Sequence, residues 1–358
     1  MLVLRLGLRL ELAPEYDSNA NRVESIADSA APQPIASFLL RSAVRGRLAY
    51  TADGYSLRLA LDGGTKFFFA PDARPQDTAV VRLQAEGGRR FGARGSLSLA
   101  GEYLDSFQWN PCPSTVLNGK TIADTSCHRD LRLAAVRLGG SVADGIPSLA
   151  AEGGLRRYEW KPDPDLSFLG LSATVGPSAR LSSTSKDDER HDWVLALQGR
   201  VEWRRFDGGA LLTRGDIGGL DPKRPRRSDL VGTLALSLAY TGRVMASAAW
   251  LLESDRSNSA EGAYLFQMLT MRLAVPLPAR MTAAARAQLL FFSSGHLPSA
   301  LTADEENRDS LLFDLSRDMG RGFTVGARYL VFRSATGDAS HDYFRQVVSL
   351  SLVWAGDK

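Results

Sequence analysis

The chain has 358 residues, 33 of them glycine, with 8% aromatic content and a formal net charge of +3. No apolar run approaches the roughly 18 residues that a spanning helix needs, which excludes a helical membrane protein, and the small net charge gives no electrostatic footprint for nucleic acid. The length suits two or three soluble domains or one large barrel, and the cationic residues are arginine almost throughout, as either GC-rich coding or a selected basic surface would produce.

At the start, Leu2, Leu4, Leu6, Leu8, Leu10 and Leu12 alternate with Val3, Arg5, Gly7, Arg9 and Glu11. A period of two sends the leucines to one face and the charges to the other, so the stretch reads as a strand; a helix would scatter both. Arg5 and Arg9 also interrupt the only candidate for the apolar core of a secretory leader, so an exported protein is expected here in a mature or trimmed form. After the polar segment Ser18 to Ile35, a second strand sets Leu40, Val44, Leu48 and Tyr50 against Arg41, Arg45 and Arg47. The turn Thr51-Ala52-Asp53-Gly54 joins it as a hairpin to Tyr55, Leu57, Leu59 and Leu61, which oppose Ser56, Arg58 and Asp62.

Two strands follow, around Val81 to Glu86 with Arg82 on the polar face and around Leu97 to Tyr103 with Glu102. Each strand again ends near aromatics, here Phe107 and Trp109. The segment Asn110 to Arg129 carries both cysteines. A disulfide between Cys112 and Cys127 would close about 16 residues and stabilise by roughly 3 kcal/mol in the chain-entropy model, with two free thiols as the alternative. Leu131 to Leu138 and Leu149 to Arg156 form a less regular pair with a bulge at Ala134-Ala135. Phe168 to Val175 meets Gly176-Pro177-Ser178, which reads as a turn into a further strand, Arg180 to Ser185. The clearest alternation puts Trp193, Leu195, Leu197, Gly199, Val201 and Trp203 on one face and Ala196, Gln198, Arg200, Glu202 and Arg204 on the other. Tryptophan at both ends of an aliphatic run is the order expected across a bilayer.

Asp207-Gly208-Gly209 reads as a turn into Ala210 to Arg214. The series closes with Leu230–Tyr240, Val244–Glu253, Tyr264–Val275, Met281–Phe292, Leu311–Arg317, Phe323–Phe332 and Phe344–Trp354. Short and long connections alternate, the pattern of a membrane barrel with turns on one side and loops on the other. The expectation is an all-β chain: residues 1–358 form a single transmembrane antiparallel β-barrel of about 18 strands, with 16 if the strand at Arg180 is absent, in the bacterial outer membrane.

With lipid outside, the charges line the lumen: Arg5, Arg9, Arg41, Arg45, Arg47, Arg58, Arg82, Arg132, Arg137, Arg156, Arg200, Arg204, Arg272, Arg286, Arg328 and Arg345. Fewer acids join them: Glu11, Asp62, Glu86, Glu102, Glu152, Glu202, Glu253 and Asp314. Guanidinium groups in a lumen favour anions; alternatively, each is tied to an acid on a neighbouring strand as a structural ion pair. His128, His191, His296 and His341 fall in predicted outer loops, away from any serine and carboxylate, and neither metal-ligand clusters nor nucleotide motifs occur. No enzyme, cofactor or nucleic-acid partner is expected.

The strand Leu2–Leu12 followed by Glu15-Tyr16-Asp17-Ser18-Asn19-Ala20-Asn21-Arg22 resembles the start of the barrel in the poly-N-acetylglucosamine exporter and in surface lipoprotein assembly modifiers. It is also similar to the stand-alone outer-membrane barrels of exopolysaccharide pathways in myxobacteria. The resemblance covers the barrel alone, and Ala355 to Lys358 after Trp354 depart from the aromatic terminus usual in barrels. It implies export of a polysaccharide through the arginine-rich lumen with periplasmic and inner-membrane export components as partners. The alternatives are an anion-preferring diffusion porin and a surface lipoprotein translocator.

Overall fold

The computed structural model describes residues 3–20, 33–92, 94–110, 114–117, 120–123, 130–143, 147–184, 190–211, 225–260, 263–292, 309–334 and 343–357. The strands in chain order are β1 (Val3–Asp17), β2 (Ser37–Ala52), β3 (Tyr55–Phe68), β4 (Thr78–Phe91), β5 (Gly95–Gln108), β6 (Ser114–Leu117), β7 (Lys120–Ala123), β8 (Leu131–Ala143) and β9 (Ser148–Trp160). They continue with β10 (Phe168–Thr184), β11 (Arg190–Gly209), β12 (Arg226–Thr241), β13 (Met245–Ser257), β14 (Tyr264–Leu277), β15 (Met281–Phe292), β16 (Asp309–Gly320), β17 (Phe323–Ser334) and β18 (Tyr343–Asp357). Apart from β6 and β7, which pair only with each other between β5 and β8, all of them close into one antiparallel barrel of 16 strands. Closure pairs β1 with β18, so no edge remains to offer unpaired backbone groups to lipid.

The leucine alternation explains the wall. In the β1–β2 ladder Leu4 faces Tyr50, Leu6 faces Leu48 and Leu10 faces Val44, one apolar face shared by two strands. That face is the outside: Leu4 is 60% and Leu6 54% exposed, and the leucines of the following strands continue it around the barrel. A closed sheet that is apolar outside and charged inside has lipid as its solvent. On β11 the exposed Trp193 and Trp203 bracket Leu195, Leu197, Gly199 and Val201. Ten residues cover about 33 Å of strand, and a tilt of about 40° reduces that to about 25 Å, the height of an apolar membrane band. Further rings extend the two belts: Tyr16 lies 5.2 Å from Phe38 and Phe67 5.1 Å from Trp109 at the loop end, and Trp193 4.6 Å from Tyr240 at the turn end.

The short connections after β2, β4, β8, β10, β12, β14 and β16 lie at the same end as both described termini, and the longer ones lie at the other. Asp53 and Gly54 form the expected hairpin turn, with φ of 44° and 85°, the paired positive values that match the twist of the strands they join. At the loop end, the inward Leu39 and Phe68 pack with Ala20 and Ala73, so the stems of the first two long loops fold over the mouth.

The count is the alternative of 16 rather than the preferred 18. Gly176-Pro177-Ser178 is not a turn; it lies inside β10, whose ladder to β9 runs through it unbroken. Towards β11, Val175 pairs with Gly199 and Ser178 with Ala196, so the ladder lapses at Gly176 and Pro177 without losing register. A Cβ on Gly176 would come within 2.3 Å of the Leu197 carbonyl oxygen, which explains the glycine by close backbone approach rather than by turning. Replacing it with alanine is expected to cost about 1–3 kcal/mol through forced strand displacement, read as a lower urea midpoint in lipid vesicles. A loss within error would show that β11 gives way freely.

Asp207-Gly208-Gly209 likewise stays within β11, as a bulge between Arg205 and Gly209. Ala210 and Leu211 lie outside any strand, and the remainder of the expected strand falls outside the described residues. The expected bulge at Ala134-Ala135 is absent: β5 and β8 pair in one register from Ser106–Leu131 to Gly95–Val142. His191 is no loop residue but part of β11 near the turn end, with Nδ1 2.7 Å from the Tyr240 hydroxyl. His128, His296 and His341, and Cys112 and Cys127 with their expected disulfide, lie outside the described residues.

Candidate functional site in the barrel lumen

Because the leucine phase fixes the outer face, the registers place every other side chain of each strand inside. Arg5, Arg9, Arg41, Arg45, Arg47, Arg58, Arg82, Arg200, Arg204, Arg272, Arg286, Arg328 and Arg345 all fall on that inward face, as do Arg137 and Arg156. Arg132 does not. It pairs with the outward Asp105, and its guanidinium lies 3.2 Å from that carboxylate on the outer surface. Arg132 and Arg137 have opposite parity, so only a bulge between them could put both inside.

Inside, the arginines are grouped by the acids they meet. On β18 and β1, Arg345 donates through Nε to Asp17 at 2.8 Å and through Nη2 to the other carboxylate oxygen, and both side chains are almost fully buried. Beside them Arg41 on β2 reaches Glu15 and Glu11, at 2.5 Å and 2.8 Å. On the wall from β9 to β11, Glu202 accepts from Arg156 at 2.5 Å and 2.7 Å and from Arg204 at 3.2 Å, with Arg200 at 3.4 Å. The Arg156 and Arg204 guanidinium groups lie over the Phe168 ring, and Arg227 lies 4.3 Å from the centre of Phe206. Arg227 pairs with the buried Asp229 at 2.6 Å, two residues that sequence reasoning missed by starting that strand at Leu230. Their parity with the inward Val231 and Thr233 was the available signal.

Elsewhere Asp62 takes both Arg45 (2.6 Å) and Arg47 (3.2 Å), and Glu102 takes Arg82 (2.6 Å) and Arg137 (3.7 Å). Arg328 holds Asp314 at 3.1 Å, and Arg58 and Arg9 lie at the looser distances of 3.8 Å and 3.6 Å from Glu86 and Glu11. Arg272 and Arg286 have no acid or hydrogen-bond partner among the described residues.

A second set of charges sits outside. Arg157 pairs with Asp207, Lys161 with Asp105 at 2.7 Å, and Glu159 lies 3.6 Å from both Arg132 and Arg157. Asp207 lies four residues beyond Trp203 in the outward phase, which puts this cluster at headgroup level, where exposed ion pairs are tolerated.

No family model matches the chain, and no curated protein matches it. Among solved structures, Salmonella typhi OmpF in a complex with daunomycin is similar over 98% of this chain and 97% of its own, at 8% identity and a TM-score of 0.51. The chain is an outer-membrane β-barrel. Its strand number, closed antiparallel order and one-sided loops agree with that architecture in the bacterial outer membrane. OccAB3 of Acinetobacter baumannii is similar over 98% of this barrel and 99% of its own chain, at 11% identity and a TM-score of 0.44.

Proposed function

We propose that this barrel is a passive diffusion channel with a preference for small anions. The observation that carries the reading is the sharing of single carboxylates by several arginines: Glu202 by three, Asp62 by two and Glu102 by two. A lumen wall with more guanidinium groups than acids has a positive potential, and a confined low-dielectric passage focuses it.

The polysaccharide-export reading stands second. It rests on Glu15 to Arg22, and within that motif Glu15, Asp17, Ser18 and Asn19 are engaged in holding the barrel together. Asp17 accepts from Arg345 and from the Asn19 backbone, and Ser18 exchanges hydrogen bonds with Gln346. A sliding glycan would also gain from exposed rings on which its apolar faces could pack. Six inward rings, Phe168, Phe206, Tyr264, Phe266, Phe332 and Tyr343, are instead buried, and Tyr158 and Trp160 are half-buried. Among the described residues, no feature of the lumen favours a lipoprotein translocator.

Planar bilayers distinguish the readings. Purified protein alone is expected to give stepwise conductance, and a potassium chloride gradient is expected to give a zero-current potential on the chloride side. A barrel that stays closed unless polymer and periplasmic components are supplied would favour export; open steps with potassium preference would remove the anion reading.

A further inference from the structure

On the wall between β14 and β15, Arg272 stands directly opposite Arg286 in the ladder. Both point inward, since the exposed Met271, Leu273 and Leu289 mark the outer phase of the same two strands. Like charges placed directly opposite on one face destabilise a sheet. The neighbouring strands do nothing to relieve them. Arg272 meets Ser247 on β13, and Arg286 meets Leu312 on β16. The next inward residue on β16 is Asp314, and its carboxylate is held by Nε and Nη2 of Arg328, each at 3.1 Å. Nε of Arg286 is buried without an acceptor among the described residues. A buried donor in this position calls for a partner that the described residues do not supply.

Small side chains flank the pair towards the turn end and on β13. Ala274 lies opposite Ala284 one inward step towards the turn end, and Ser247 and Ala249 continue the low floor on β13. Two planar guanidinium forks on adjacent strands, with backbones about 5 Å apart, can grip the oxygens of one oxyanion from two sides.

We propose that Arg272 and Arg286 form a binding station for an oxyanion, a carboxylate or phosphate group carried by a small solute in the lumen. The site gives the channel a preference within the anions: chloride is drawn by the charge but cannot use the forks. It rests on the reading of the lumen as a passage for solutes, and its test is independent of conduction.

The probe is inorganic phosphate against chloride at equal ionic strength, read first as thermal unfolding of the intact barrel in detergent. Phosphate stabilises proteins generally, so the comparison is with the double variant R272Q/R286Q. The wild type is expected to show an additional, saturable rise in Tm with phosphate that the double variant lacks. In chloride alone R286Q is expected to melt above the wild type, because the repulsion is gone. The variants R272K and R286K keep the charge and lose the fork, and are expected to bind phosphate about tenfold more weakly. In bilayers, phosphate is expected to reduce the chloride current of the wild type saturably and that of the double variant only at about tenfold higher concentration. A double variant that responds to phosphate as the wild type does overturns the site. Phosphate-dependent stabilisation in a barrel that never conducts keeps the site and removes the channel; conduction indifferent to phosphate does the reverse.

Discussion

Replacing Arg345 with alanine is expected to destabilise the barrel by about 3–5 kcal/mol, the cost of leaving a buried charge without its partner. Asp17 and Arg345 are 0% and 2% exposed, and they join strands that are 328 residues apart in the chain. Their two parallel hydrogen bonds, with the Arg345 guanidinium 5.5 Å from the centre of the Phe332 ring, fasten the pairing of first and last strands that closes the sheet. Without Arg345 the Asp17 carboxylate keeps the Asn19 backbone N–H at 3.0 Å, too little to offset its desolvation. The measurement is the urea midpoint of the vesicle-inserted protein, followed by tryptophan fluorescence. In a double-mutant cycle, D17A with R345A should lose less than the two single losses summed, because neither charge is then stranded. A loss below about 1 kcal/mol in R345A would show that the backbone ladder of β1 and β18 closes the seam unaided.

The inside and outside of this barrel are legible in the sequence because period-two chemistry is local: Leu2 to Leu12 separates its faces without reference to any neighbour. The same alternation places the other arginines on the inward face, whereas Arg132 lies outside because β5 and β8 pair without the bulge expected at Ala134-Ala135. The strand number was less legible. Gly176-Pro177-Ser178 and Asp207-Gly208-Gly209 have turn composition, yet the first is a glycine beside the Leu197 carbonyl and the second a bulge. Both meanings come from the adjacent strand, which local sequence does not contain. The pairing of each arginine was hidden likewise. Arg45 meets Asp62 through direct opposition in the β2–β3 register, whereas Arg156 reaches Glu202 across an intervening strand. Within the segment that suggested a function, Glu15 to Arg22, Asp17 serves the closure of the sheet through Arg345, and Glu15 pairs with Arg41 on β2.

That crossing of a strand sets the second large effect, at Glu202. Arg156 is on β9 and Glu202 on β11, and between them on β10 lies Gly170, paired with Arg156 on one side and Arg204 on the other. A Cβ at Gly170 would come within 2.5 Å of a Glu202 carboxylate oxygen, so the missing side chain is what lets the ion pair pass over the strand. Glu202→Gln keeps the shape and removes the charge that Arg156, Arg200 and Arg204 share. Two effects are expected: a stability loss of about 3–5 kcal/mol from the stranded guanidinium groups, and a zero-current potential displaced further towards chloride. Gly170→Val separates them. It breaks the crossing by steric conflict and leaves every charge in place, so it should lower the urea midpoint while the zero-current potential moves little. If Glu202→Gln and Gly170→Val displace that potential equally, permeating ions do not sense the net charge of this cluster, and the anion preference originates elsewhere on the wall, with Arg272 and Arg286 of β14 and β15 the next to replace.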